Sequence, residues 1–134
     1  MAETASITLL SDIREMDRVA EFVKLLAERT GCNTDQEHRI LLVLSEVVTN
    51  AIIHGNKKVR SKPVEVTALV TNSELLLTVS DQGEGFDPGA IPDPRKKENL
   101  LKTRGRGVWL IHKYADKVTY SDNGSKVSIL IRLP

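Results

Sequence analysis

Cysteine is almost missing from the 134 residues: Cys32 stands alone, which excludes an intramolecular disulfide and any multi-cysteine metal site. A reducing compartment is the simplest setting. Aromatic residues make up only 4% of the chain, so Leu, Ile and Val must fill the core and base-stacking platforms are not expected. No sign of charge dominates. Nineteen Lys and Arg against eighteen Asp and Glu leave a net charge of +1, without a basic stripe to track phosphates, and this argues against direct nucleic-acid binding. The longest apolar run, Ile40 to Leu44, falls far short of the roughly 20 residues that cross a bilayer. The opening Met1-Ala2-Glu3-Thr4-Ala5 lacks a basic region followed by an apolar block, so a cytoplasmic location away from membranes is expected.

What is present is the balance of one soluble domain spanning 1–134, with 40% apolar against 28% charged residues. At this length roughly two thirds of the extended chain's surface becomes buried, enough for a core without staples. Ser6 to Leu10 reads as a first strand. An amphipathic helix follows from about Ile13 to Arg29, with Val19, Phe22, Val23 and Leu26 at helical spacing, and Gly31 stops it. Thr34-Asp35-Gln36-Glu37 has the form of a capping box and opens a second helix that runs to about His54.

Val64 to Thr71 and Leu75 to Asp81 form a predicted hairpin around Asn72-Ser73. Gly83, Gly85, Gly89 and Gly105, with Pro88, Pro92 and Pro94, then break any regular element, so a long loop is predicted up to Arg106. A loop of that length in a small domain is usually functional or mobile. Gly107 to Tyr114 reads as a third helix, and Lys117 to Ser121 with Lys126 to Leu133 as a closing hairpin around Asp122-Asn123-Gly124. The order of elements predicts an α+β fold: a mixed sheet with helices packed on one face, an α/β two-layer sandwich.

The second helix holds the informative pattern. Ile40, Leu44, Val47, Val48 and Ala51 fall within about 100° of arc, the stripe a helix turns toward a sheet. Leu42 and Ile53 occupy the other side, which is therefore not expected to be a fully solvated face. Between them Glu46, Asn50 and His54 share one edge at i, i+4 and i+8. A carboxylate so flanked is expensive to bury unless it meets water, a partner or a ligand, so the stripe suggests a cavity wall. The alternative is that Glu46 and Asn50 cap or bridge neighbouring backbone groups.

Two glycine clusters lie downstream. Asp81-Gln82-Gly83-Glu84-Gly85-Phe86 leaves a strand and turns at two residues that allow close backbone approach, with Asp81 placed to accept from an exocyclic amine such as N6 of adenine. A plain Asp-Gly turn explains the same residues. Gly105-Arg106-Gly107-Val108 precedes the third helix, where free N–H groups and the helix dipole favour phosphate, although such an entry also serves as a simple turn. Neither a P-loop nor the protein-kinase motif set is present.

Taken together, the run from Leu44 to Asn56, the Asp81-x-Gly83-x-Gly85-Phe86-Asp87-Pro88 segment and Gly105-x-Gly107-Val108 resemble the N box and the two glycine boxes of the GHKL ATPase superfamily. Within it the chain looks like the anti-sigma factor serine/threonine kinases, as do Glu98-Asn99-Leu100-Leu101 and Asp116-Lys117-Val118. The resemblance runs from about residue 8 to the end. It implies the Bergerat ATP-binding fold, a mixed and mostly antiparallel sheet with three helices on one face and a lid at about 88–106.

Carried over residue by residue, the resemblance makes Asn50 the Mg²⁺ ligand, with triphosphate and water supplying the other oxygens. Glu46 becomes the general base that accepts the proton of a substrate serine. Asp81 reads adenine, Gly83 and Gly85 let the purine lie on the backbone, and Gly105, Arg106, Gly107 and Val108 form the phosphate turn. Ser125 falls where such proteins usually have a threonine near adenine. His54 is expected to make a structural hydrogen bond. Of the lid cations Lys96, Lys97, Lys102, Arg104 and Arg106, the last sits within the phosphate turn.

The implied activity is ATP-dependent phosphorylation of a serine on an anti-sigma factor antagonist of the STAS type, alternating with capture of a sigma factor. Such relatives often dimerise, and the first strand and first helix are the expected contact surfaces of a homodimer. The rival reading is a non-catalytic ATP-binding partner switch acting on another client, which has no use for a base at Glu46. A histidine kinase requires a separate phosphoacceptor hairpin; His38 lies in the N-box helix and does not provide one. Topoisomerase and chaperone relatives carry transducer domains too large for this chain.

Overall fold

In the computed structural model, residues 3–83, 110–122 and 125–133 are described. Five strands form one sheet in the order β1-β2-β3-β5-β4, from Glu3–Leu9, Val64–Val70, Glu74–Ser80, Lys117–Ser121 and Lys126–Arg132. Every pairing is antiparallel, so the mixed sheet expected from the element order has no parallel pair among the described residues. Strand alternation decides which face is covered. Val64, Val66, Ala68 and Val70 of β2 are buried while Glu65, Thr67 and Leu69 between them are exposed.

The registers place Ala68 opposite Leu77 on β3, and Leu77 opposite Ile129 on β5, so apolar side chains cross the sheet in rows. Two helices, α1 (Met16–Thr30) and α2 (Thr34–Asn50), contribute Val19, Phe22, Val23, Leu26, Ile40, Val43, Leu44, Val47 and Val48 to the same core. Residues 110–114 are helical, and Ile111 joins that core as well. The expected two-layer α+β sandwich is what forms.

Several boundaries differ from expectation for local reasons. The first helix begins as a 3₁₀ turn, Ile13–Glu15, because the Asp12 side chain accepts from Arg14 N–H at 2.9 Å and sets the entry. Gly31 ends α1 as expected, at φ +68°, its N–H donating to Ala27 O. The capping box of α2 sits one residue earlier than predicted: Asn33 Oδ1 accepts from Gln36 N–H at 2.9 Å, and Asn33 N–H donates to Gln36 Oε1 at 3.2 Å. Asn33 competes successfully with Thr34 because its extended backbone points its amide oxygen at the N3 amide.

The buried stripe of α2 is the predicted one, but Leu42 on the other side is 38% exposed, so that side is more solvated than expected there. The second helix also does not remain α-helical to His54. Residues Ala51–Gly55 widen into a π turn, with Asn56 N–H donating to Ala51 O at 2.8 Å. Past it, Lys57 and Lys58 take left-handed conformations at φ +52° and +61°. Both are exposed and neither is a residue that favours this region. Lys58→Asn is accordingly expected to raise stability by about 0.5 kcal/mol, read as a higher urea midpoint at unchanged slope.

The helical stretch 110–114 is tied to α2 from below. Arg39 Nε donates to Tyr114 O, and the Arg39 guanidinium lies 3.2 Å from Asp116, whose carboxylate also accepts from Arg132 N–H at 2.6 Å. Close by, His112 Nε2 and the Tyr120 hydroxyl are 3.0 Å apart. Burial pushes the Tyr120 phenol up to about 12 and lowers His112 below its ordinary value of 6.5. A histidine lowered in the folded state binds its proton first in the unfolded chain. Its contribution is therefore complete above pH 6.5 and declines as pH falls below it. His112→Gln is expected to lessen the loss of urea stability as pH falls below 6.5.

Candidate functional site

The last two turns of α2 present Glu46 and Asn50, four residues and about 6 Å apart along the axis. Both are half-buried, beside the fully packed Val47 and Val48. Neither side chain caps α2: Asn33 does that at one end, and at the other the Ala51 N–H goes to backbone oxygens. The π turn then carries the chain from Asn50 to Gly55 and delivers it against the end of β3.

The contact there is made by bare main chain. A Cβ on Gly55 would stand 2.3 Å from Asp81 Oδ2, and a Cβ on Gly83 would stand 2.0 Å from Gly55 O. Only glycine fits either position as they stand. Asp81 is held from three directions. Its N–H donates to Ser125 O at 2.9 Å, its Oδ1 accepts from Gly83 N–H at 2.7 Å, and the intervening Gln82 N–H donates to Asn56 Oδ1 at 2.7 Å. Ser125 in turn donates its hydroxyl to Asp122 O at 2.8 Å, with Asp122 in the left-handed region at φ +53°.

The structure thus brings Asp81, Gly83 and Ser125 together at one end of the sheet, adjoining the π turn that follows Glu46 and Asn50. Sequence reasoning assigned Gly83 to close approach by a ligand; the space its side chain would fill is taken by Gly55 O. His54 lies within the π turn, half-buried, with an interaction of its own. Gly85, Gly105, Arg106, Gly107 and Val108 lie outside the described residues, as do the lid at 88–106 and the start of the third helix.

Gly55 and Asn56 end the Leu44–Asn56 run without a role assigned to them, and Ser11 lies outside every motif read from the sequence. Asn56 is 1% exposed, and its Nδ2 donates to Ser11 Oγ at 2.8 Å and to the carbonyls of Lys62 and Pro63 at 3.0 Å each. Ser11, 2% exposed, donates its own hydroxyl to Lys62 O. The available signal for Asn56 is a polar residue closing that run directly after a glycine.

Residues 9–131 match the family described as the histidine kinase-like ATPase domain. The chain belongs to this family. Among curated proteins it is similar to the serine-protein kinase RsbW of Staphylococcus epidermidis, 29% identical over 126 residues that cover 83% of this chain and 79% of that protein. RsbW of Staphylococcus aureus (strain bovine RF122 / ET3-1) is 28% identical over 125 residues, covering 82% and 79%. A solved structure of the RsbU and RsbW domains of Rv1364c from Mycobacterium tuberculosis matches with TM-score 0.65 at 16% identity. That match covers 98% of this chain and 31% of the other, and it shows the shared fold. The histidine kinase-like ATPase domain is GHKL in fold, as its motif segments suggested, and the curated proteins it resembles are RsbW kinases.

Membership in an ATP-binding kinase-like family implies ATP as the ligand class. The residues present suit it. Asp81 offers a carboxylate fixed at the turn after β3. Asn50 offers a neutral amide oxygen, the hard donor that Mg²⁺ accepts alongside phosphate oxygens and water. Among the described residues, no group of three or more His, Cys, Asp or Glu could hold a metal ion by itself, and no helix is long and apolar enough to cross a membrane.

Proposed function

We propose that this chain is an anti-sigma factor serine-protein kinase that binds Mg-ATP, sequesters a sigma factor and phosphorylates a serine of a STAS-type antagonist. The observation that carries the reading is the junction of Gly55 with Asp81 and Gly83. It sets the Asp81 carboxylate next to the end of the helix that bears Glu46 and Asn50, which supports a role for Asp81 in reading adenine. Asp81 accepts from the adenine amine, Ser125 lies beside it across a backbone hydrogen bond, and Gly83 and Gly85 shape the turn on which the purine rests. Asn50 holds Mg²⁺ through its amide oxygen. The metal, when bound, neutralises phosphate charge and orients the triphosphate. Gly105, Arg106, Gly107 and Val108 supply main-chain amides and one cation to the phosphates.

Glu46 then acts on the substrate serine. Its carboxylate takes the hydroxyl proton as the serine oxygen bonds to the γ-phosphorus and the bond to the β-phosphate oxygen breaks, releasing ADP. Half-burial beside Val47 and Val48 suits a base that works against a bound substrate rather than bulk water. One 1–134 unit with a lid at about 88–106, a cytoplasmic setting and a homodimer complete the reading.

The test is incubation of the purified chain with γ-labelled ATP, magnesium and candidate antagonist domains. Label is expected on one antagonist serine. Retention of ATP with no transfer to any cognate antagonist would leave the binding-only switch instead.

A further inference from the structure

We propose that Asn56 is a positioning residue of the nucleotide site: its buried carboxamide fixes the Asp81–Gly83 turn, and Ser11 completes the device. The proposal rests on the nucleotide reading above. Among the described residues, Ser11 and Asn56 are the two polar residues in an otherwise apolar buried set, and they are bonded to each other across 45 positions of sequence. Buried polar groups are retained at a disadvantage unless fully satisfied, so what they hold is informative.

Asn56 is satisfied on both sides of its amide. Three acceptors face Nδ2: Ser11 Oγ after β1, and the carbonyls of Lys62 and Pro63 before β2. The N–H of Gln82, after β3, faces Oδ1 at 2.7 Å. This arrangement assigns the amide orientation, because the reversed group would set an oxygen against three acceptors and a nitrogen against a donor. The carboxamide therefore clamps the turn after β3 to two segments that enter the sheet at the same end.

The consequence falls on Asp81. Its carboxylate already receives Gly83 N–H from within the turn, and the Asn56 bond at Gln82 holds the turn from the other side. With Asn56 in place, Asp81 Oδ2 stays in the niche left by the missing side chain of Gly55. Without it, the Gln82 amide must find another acceptor and the turn loses its reference to the π turn. Asn56 touches neither base nor phosphate; it sets the direction in which Asp81 faces the purine.

Calorimetric titration with ATP, GTP and adenosine, each with magnesium, separates this role from a general effect on folding. The proteins are the wild type, Asn56→Ala, Ser11→Ala, Asp81→Asn and the Asn56→Ala/Asp81→Asn double variant, with binding expressed per folded molecule from circular dichroism. Asn56→Ala is expected to weaken ATP and adenosine alike by about tenfold and to reduce preference for ATP over GTP by a similar factor. In the Asp81→Asn background the same change is expected to add less than about threefold, since it acts through Asp81. Ser11→Ala keeps the Gln82 bond and is expected to shift affinity the same way by about threefold. It carries the test if Asn56→Ala does not fold.

Unchanged preference for ATP over GTP in folded Asn56→Ala or Ser11→Ala protein, or full additivity with Asp81→Asn, would overturn the positioning role while leaving the nucleotide reading intact. A wild type that binds none of the three ligands overturns both.

Discussion

Glu46→Gln is expected to lower phosphate transfer to an antagonist serine by at least about a hundredfold while leaving ATP affinity within about twofold. The amide matches the carboxylate in size and hydrogen-bonds from the same half-buried place on α2, so the fold and the nucleotide contacts have no reason to change. What is lost is the capacity to accept the serine proton as the oxygen attacks. Single-turnover transfer with labelled ATP, alongside equilibrium titration of the same preparation, reads the two quantities separately. Equal transfer by the variant and the wild type would remove Glu46 from this role. Equal losses in binding and transfer would place the side chain in nucleotide binding instead.

A second large effect is expected at Gly55. In Gly55→Ala the added methyl falls 2.3 Å from Asp81 Oδ2 and 2.4 Å from its Cγ. Something has to move, and the least constrained group is the aspartate side chain, which rotates away from its bond with Gly83 N–H. ATP affinity is expected to fall by at least about tenfold, with stability lower by about 1–3 kcal/mol as for other overpacked sites. At Gly83 the intruding methyl would meet Gly55 O at 2.0 Å, which is main chain and cannot rotate aside. Gly83→Ala is therefore the more disruptive of the two for the turn itself. A Gly55→Ala protein with unaltered ATP binding would show that the Asp81 carboxylate does not serve the ligand from this position.

Much of this was legible from residue order because the signals are local. The buried stripe of α2 follows from spacing, and strand alternation in β2 identifies the covered face without any long-range information. Gly31 is a helix stop wherever it occurs after such a pattern. The N cap of α2 was harder, because Asn33 and Thr34 are adjacent, both are good caps, and each has a suitable partner three residues on, Gln36 or Glu37.

The π turn was not legible. An α-helix to His54 satisfies the local pattern of Ala51-Ile52-Ile53-His54, and the junction of Gly55 with Asp81 and Gly83 at the end of the π turn is made with residues nearly thirty positions away. The same holds for Ser11 and Asn56, whose bond spans 45 positions and carries no periodicity. The motif segments pointed to the family because several weak local patterns coincide in one order. The geometry adds the reason two of the glycines stand where they do: one makes room for a carboxylate, the other for a carbonyl.

Every role proposed for these residues requires a magnesium nucleotide bound beside Asp81 and the end of α2. Calorimetry of the nucleotide-free wild-type chain with ATP in the presence of magnesium measures that directly. Saturable binding at a single site is expected, strongly weakened but still measurable in Asp81→Asn. Absence of binding by both ATP and ADP up to millimolar concentration, in folded protein with the metal present, would contradict it.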